Sequence, residues 1–522
     1  MLRKLNIFLF LILLLPGLRV LAQSGHYIPM DEFRVAAIER RAMADGVRDH
    51  LSVKPWALRD LPEMPLDSAS LSTWSNSLVD LWKHPEGRKA KFGIAPILDL
   101  SGGYSSQADE QFSVYVGFAT FTQFSPKWSF YADLIAGEER PPAYIDGFVD
   151  QYGVLPSYGR NRSDTKDASI LMPSARLDFA PNEFFQFELG FGRNFIGNGY
   201  RSLFLSDVAY NYPYLKMETD FWHIKYVNIF SSLNGSNFEE HGITNFQTKY
   251  TTMHYLSWAV SPRFNIGLFE SVVWQGRDTL SDRGFDVNYL NPVIFYRPVE
   301  YSIGSPDNSL LGMDASFKAT SSVLVYGQFL LDEFLLSAFR DGNGWWGNKW
   351  AAQLGVKVYA LPALPDWFFQ AEFNVSRPFT YTHGSVLQNF GHYNQPLAHP
   401  LGANFYEGLL RAQYAKGRYY GEGFLMYADY GRDPEGLNLG GDIYRSYVNP
   451  AQQFGNTIGQ GVSHQLYFQR LEAGLVINQK YGLRAGLNYT FRHLEIKEAK
   501  DQTEHLIGIR ITTGIYNKYR EF

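Results

Sequence analysis

From about residue 90 onward, strand-like runs are joined by connections that are short and long by turns, and this parity constrains the fold more than any motif. Runs of roughly ten residues are separated alternately by gaps of about one to five and about nine to thirty-four residues. A soluble β-sandwich has no reason to sort its connections this way. A transmembrane β-barrel does, with tight turns at one end and long loops at the other. Eighteen candidate strands follow: 91–101, 111–123, 127–137, 168–180, 184–193, 214–220, 222–233, 246–261, 263–274, 308–319, 322–332, 347–360, 366–376, 404–414, 417–430, 465–477, 480–492 and 503–516. The even number suits a bacterial single-chain barrel.

The clearest strands have a period of two. Leu483, Ala485, Leu487, Tyr489 and Phe491 share one face, against Arg484, Gly486, Asn488 and Thr490. Phe185, Phe187, Leu189 and Phe191 oppose Gln186, Glu188 and Gly190, and Phe369, Ala371, Phe373 and Val375 oppose Gln370, Glu372 and Asn374. Charge on one face requires a wet or internally paired lumen if the other face meets lipid. A soluble barrel would reverse that polarity, and alternation alone does not choose between them.

The N-terminus favours the membrane. Arg3 and Lys4 precede an apolar stretch from Ile7 to Leu15, and Val20-Leu21-Ala22 precedes Gln23, as in a secretory signal peptide cleaved after Ala22. The apolar stretch is too short to cross a bilayer as a helix, and no later window approaches 18 consecutive apolar residues. The absence of cysteine excludes a lipoprotein anchor, disulfides and thiolate metal sites. Aromatics make up 16% of the chain, with 34 Tyr and 40 Phe, as interfacial girdles require. The net charge of −5, without a basic block, gives no footprint for nucleic acid.

The expected architecture is an all-β transmembrane barrel of about 18 antiparallel strands over residues 91–522, preceded by a short helical periplasmic segment at 23–90 and the signal peptide at 1–22. Helical spacing runs from Asp31 to Arg48 and from Ser68 to Trp82, with Asp31 and Asp67 or Ser68 as N-caps and Pro55, Pro62 and Pro65 between. This segment is either a plug closing the periplasmic mouth or a loosely packed leader. With the N-terminus in the periplasm of a Gram-negative cell, the long gaps fall outside and the C-terminus returns to the periplasm. The terminal Phe522, after Tyr516 and Tyr519, resembles the signal read by the outer-membrane assembly machinery.

The stretch from Gly190 to Asp207, GFGRNFIGNGYRSLFLSD, followed by Asn211-Tyr-Pro-Tyr214, resembles the signature of Wzi-type capsule assembly proteins and, more closely, of the related gliding-motility proteins called RemB. Tyr289-Leu-Asn-Pro-Val-Ile-Phe-Tyr-Arg-Pro-Val-Glu-Tyr301 and Tyr393-Asn-Gln-Pro-Leu-Ala-His-Pro-Leu-Gly-Ala-Asn404 add to the likeness. The resemblance implies an eighteen-stranded outer-membrane barrel, periplasmic helices blocking the lumen, and polysaccharide held at the cell surface or, in the RemB branch, adhesion and motility.

Two groups of residues are candidates. In the motif, Gly192, Gly197 and Gly199 permit close backbone approach, while Arg193, Arg201 and Asp207 suit an internal ion-pair network. Arg297 and Glu300 lie in or beside the fifth long loop, where bracing and sugar contact both remain open. Sugar binding calls for aromatic faces beside bidentate polar side chains. Asp341, Asn343, Trp345 and Trp346 offer this in one outward gap, and Tyr381, His383, His392 and Tyr393 in another; an interfacial girdle is the alternative for the tryptophans. His383, His392 and His399 match no metal-ligand spacing, no cofactor motif is present, and no nucleophile elbow, triad or carboxylate dyad marks an enzyme. The sequence therefore reads as a non-enzymatic surface barrel, with a porin-like channel or a structural partner of an envelope complex as alternatives.

Overall fold

The computed structural model describes residues 30–44, 46–57, 93–107, 110–159, 167–236, 245–277, 283–293, 307–479, 481–514 and 517–522. The expected signal peptide, the helix at Ser68 to Trp82, and Arg297 and Glu300 lie outside these residues.

Eighteen antiparallel strands close into one barrel. They are β1 (Gly93–Ser105), β2 (Glu110–Ser125), β3 (Trp128–Arg140), β4 (Ala168–Phe179), β5 (Phe185–Gly192), β6 (Tyr212–Phe221), β7 (Ile224–Gly235), β8 (Gln247–Ser261), β9 (Phe264–Gln275), β10 (Asn308–Lys318), β11 (Val323–Leu331), β12 (Trp350–Leu361), β13 (Leu364–Ser376), β14 (Phe405–Lys416), β15 (Tyr419–Arg432), β16 (Val462–Asn478), β17 (Leu483–Ile496) and β18 (Gln502–Thr512). Each pairs with its neighbours in sequence, and β1 closes on β18 with Asp99 opposite Thr512. Closure leaves no free sheet edge, which hydrocarbon would penalise heavily. No helix among the described residues is long and apolar enough to cross a membrane.

The side chains settle the polarity that alternation left open. Leu189, Leu487 and Phe373 face outward and are 63, 66 and 48% exposed, whereas Glu188, Glu372 and Asn374 on the inward register are buried. Ion pairs line the inner wall, such as Lys216 with Glu188 at 2.7 Å and with Glu218 at 3.0 Å. Aromatic pairs ring the outside near both ends: Trp128 on Phe179 and Trp367 on Tyr414 toward the short turns, Tyr427 on Tyr467 toward the long loops. This is the outer-membrane arrangement, apolar outside and polar inside.

The lumen holds a packed core. Helix α1 (Glu32–Ala42) starts at Asp31, whose carboxylate accepts from the amides of Phe33 (3.0 Å) and Arg34 (3.1 Å), filling orphan donors of the first turn. The helix ends well before Arg48, with Met43 as its C-cap. It lies against the short-turn end of the barrel, held by Asp31 to Arg484, Glu32 to Arg411, and Glu39 to Lys357 (2.7 Å) and Tyr359 (2.8 Å). Lys318 then donates to the carbonyls of Ala42 and Val47. Further in, Val53 and Lys54 pair with Ile196 and Phe195 of the long β5–β6 connection.

That connection crosses the barrel interior. The amides of Tyr200 and Arg201 donate to Glu372 on β13, Leu203 donates to Gln328 on β11, and Phe204 stacks on Phe269 of β9. The β13–β14 connection joins it, Tyr381 donating to the Leu203 carbonyl at 2.8 Å. Leu203, Phe204, Leu205, Tyr381, Phe390 and Leu397 are fully buried at its centre. Two shorter helices sit in other connections, α2 (Ala143–Tyr152) and α3 (Leu336–Arg340).

Two placements differ from expectation. The last strand stops at Thr512, and residues 517–522 turn back into the lumen, where Lys518 meets Asp99, Arg520 meets Glu139 and Tyr519 donates to Asp207. Phe522 is therefore an interior residue, its ring beside Arg201 and His399, and does not end a membrane-facing strand. The buried carboxylates of the wall draw the basic tail inward. The β9–β10 connection does the opposite. Its described part, 283–293, descends the outer wall, with Tyr289 against Trp274 (4.7 Å), Thr252 donating to the Tyr289 carbonyl and Tyr226 to that of Pro292.

Candidate functional site

The glycine-rich motif builds a buried ionic hub. Arg201 is fully buried, its Nη2 and Nε 3.0 and 3.2 Å from Glu407 on β14, with Glu521 of the tail 3.5 Å from Nη1. Glu407 also accepts from His399 (2.8 Å) and Asn374 (2.9 Å). Burial disfavours charge on Arg201, but Glu407 and Glu521 outweigh it and raise its pKa. The sequence had grouped Arg193, Arg201 and Asp207 as mutual partners. Instead Arg193 donates to the backbone carbonyls of Asp207 and Ser157 and to the Asn211 side chain, and the Asp207 carboxylate takes the Tyr519 hydroxyl. Burial raises the pKa of Asp207, against the hydrogen bond from Tyr519.

The glycines are set by proximity. A Cβ on Gly199 would strike the Arg201 carbonyl and sit 2.6 Å from Glu372, one on Gly197 would lie 2.7 Å from the Gln328 amide, and one on Gly192 3.2 Å from Arg176. Lys54 donates to the Gly197 carbonyl at 3.0 Å, and burial pulls its pKa down to about 8 although Glu39 lies 3.5 Å away. Lys54 and Lys357 share Glu39, so burial wins for Lys54.

At the long-loop end the picture is open and aromatic. Asp341 is exposed at the end of α3, and the Asn343 side chain accepts from the Trp345 amide. Trp345 and Trp346 lie 5.9 Å apart, and Trp346 packs on Tyr447 (4.9 Å) and Phe379 (5.7 Å). Both tryptophans are half-buried, and the Trp346 indole donates to Gln453 at 2.9 Å. His383 joins through Tyr447 at 5.5 Å, and burial lowers its pKa to about 4. Rings beside amide side chains are the elements that saccharide recognition uses.

Two expected ligand contacts are not at this surface. Tyr381 is fully buried, its hydroxyl given to Leu203. His392 accepts from the Asn234 amide through Nδ1 and donates through Nε2 to the Asn211 carbonyl, so both nitrogens are used and burial drops its pKa to about 3. Both are core residues because their loop enters the lumen. Tyr393 is half-buried between Phe246 and Tyr210, away from the tryptophans. Among the described residues no cluster of His, Asp and Glu could hold a metal ion. Phe379 belongs to the aromatic stretch that the sequence sets beside the tryptophans, whereas sequence reasoning passed over Tyr447 and Gln453, because only folding brings the three connections together.

No protein-family model and no curated protein matches the chain. Among solved structures it resembles Wzi of Escherichia coli, an outer-membrane protein involved in group 1 capsule assembly and a carbohydrate-binding β-barrel, at 12% identity and a TM-score of 0.55 over 94% of this chain and 99% of that one. It also matches Pseudomonas aeruginosa OprD at 9% identity and a TM-score of 0.42 (82% and 96% covered), and Acinetobacter baumannii OccAB4 at 8% and 0.44 (80% and 97%). At these identities the likeness is one of fold.

Proposed function

We propose that this chain is a non-enzymatic barrel of the bacterial outer membrane, its long-loop end facing out, that holds surface polysaccharide for capsule attachment or, in a RemB-like role, for adhesion during gliding. The observation that carries this reading is the half-buried pair of Trp346 and Tyr447, backed by the buried Phe379 and edged by Trp345, Asn343 and Gln453, at the long-loop end of a barrel with the fold of Wzi. Sugar rings present C–H faces that pack on aromatics and hydroxyls that bond to amides. In this reading α1 and residues 46–57 close the periplasmic mouth.

Immobilised extracellular polysaccharide tests the proposal. The wild type is retained, and the double substitution Trp345→Ala, Trp346→Ala weakens retention; unchanged retention removes these rings from the site. A deletion strain scored together for capsule retention and surface movement separates the two roles. A wide diffusion channel is the rival, and the filled lumen weighs against it. The polar cavity of about 240 Å³ beside β1 and β16–β18 is bridged by Arg510 to Asp99 (3.0 Å) and to Glu472 (3.5 Å).

A further inference from the structure

A second cavity, with about 270 Å³ of free space, opens at the long-loop end behind α2, away from the tryptophans. Tyr152 and Tyr444 form one wall with rings 5.5 Å apart, and Tyr430, stacked on His464, forms another. Exposed Gly147 and Gln151 of α2 stand at the mouth, and Phe522 of the inturned tail closes the cavity from within. Its polar side is made by Arg432, Asp442 and Arg492. Arg492 is 5% exposed and donates Nε to the Glu521 carbonyl at 3.3 Å, while neither Nη has an acceptor among the described residues. Asp442 gives one oxygen to the Tyr444 amide at 2.9 Å.

A buried guanidinium held by one hydrogen bond and by the Tyr144 ring at 4.4 Å, with its other donors toward a reachable space, is suited to a ligand that brings acceptors. Ring walls favour a flat, partly apolar body, and Asp442 beside the arginines supplies an acceptor for the donors of the same ligand. The volume lies just below the usual range for ligand pockets, about 300–1,000 Å³, and fits one small ring. We infer that this cavity seats a single sugar residue of the surface polysaccharide, with a ring face on the tyrosines and its hydroxyls between Arg492, Arg432 and Asp442. The inference rests on the polysaccharide reading above and adds a site separate from Trp345 and Trp346. The floor is supplied by the chain terminus, so Arg201 and Glu521, which hold the tail, position the site without touching the sugar.

The test uses the full-length protein in detergent, titrated over the strain's own immobilised extracellular polysaccharide, with monosaccharides from its acid hydrolysate as competitors. Gly147→Trp fills the mouth, since a Cβ there meets nothing within 4 Å, and Arg492→Gln removes the cation from the wall. Heat-dependent gel mobility verifies that each variant is folded. Both variants are expected to weaken binding at least tenfold and to abolish monosaccharide competition. A folded variant of either kind that binds within twofold of wild type overturns this site and leaves the polysaccharide reading standing. A wild type that binds no polysaccharide overturns that reading, and this site with it.

Discussion

Arg201→Met tests the hub at the centre of the lumen. Methionine preserves the length and apolar stem of the side chain but removes the guanidinium. Two hydrogen bonds to Glu407 are lost, together with the pair to Glu521 and the contacts of the cation with the rings of Tyr200 (4.9 Å) and Phe522 (5.3 Å). Two carboxylates are then left in a fully buried place, where among the described residues His399, Asn374 and Tyr200 donate to them. Removing one member of a buried ionic group costs about 3–5 kcal/mol, chiefly through the uncompensated charge that stays behind. The cost is therefore expected near 4 kcal/mol, and neutralising both acids as well, with Glu407→Gln and Glu521→Gln, should recover more than half of it. The assay is urea unfolding in lipid vesicles, followed by tryptophan fluorescence and gel mobility. A single variant within about 1 kcal/mol of wild type, or a triple variant no more stable than the single, would refute the account.

Three further outcomes are expected. Leu487→Arg places a cation on the lipid face of β17 and should destabilise the inserted barrel by about 2–4 kcal/mol; a neutral result would contradict the outward assignment of that face. His392 stays neutral when folded down to about pH 3 but protonates near 6.5 when unfolded, so between these values the unfolded chain binds more protons and stability falls on acidification. From pH 6.5 to 5 this amounts to about 2 kcal/mol, and His392→Asn should flatten that part of the profile; an unchanged slope refutes it. In planar bilayers the intact protein should show no large steady conductance, because the β5–β6 and β13–β14 connections fill the lumen; steady conductance in the intact chain would contradict a closed lumen.

The wall was legible in the sequence because each strand residue meets one of two fixed environments. Phe187 and Leu189 against Gln186 and Glu188 need nothing beyond their own alternation to be placed. Strand ends were readable where the turn has its own chemistry, as at Pro181-Asn-Glu183, whereas Gly417, expected as the first residue of a strand, lies in the turn between Lys416 and Tyr419. The interior was not legible. Tyr381 and His392 sit on a long connection, and long connections ordinarily lie in solvent, but here the connection fills a cylinder that would otherwise be hollow. Arg201 announced a need for carboxylates without saying which. Glu407 is distant in sequence, and Glu521 comes from a tail with no regular pattern. Long-range pairing of this sort depends on diameter and on the path of each connection, neither of which local spacing encodes.

The inward turn of the last residues bears on how the molecule is handled and assembled. Anything fused after Phe522 begins within the cylinder, beneath α2, where the Phe522 ring lies beside Arg201 and His399. A reporter attached there would displace the terminus from its seat and mark no compartment faithfully. Labels belong instead at the exposed tip of α3 or in the tight turn at Gly417, where added chain meets solvent at once.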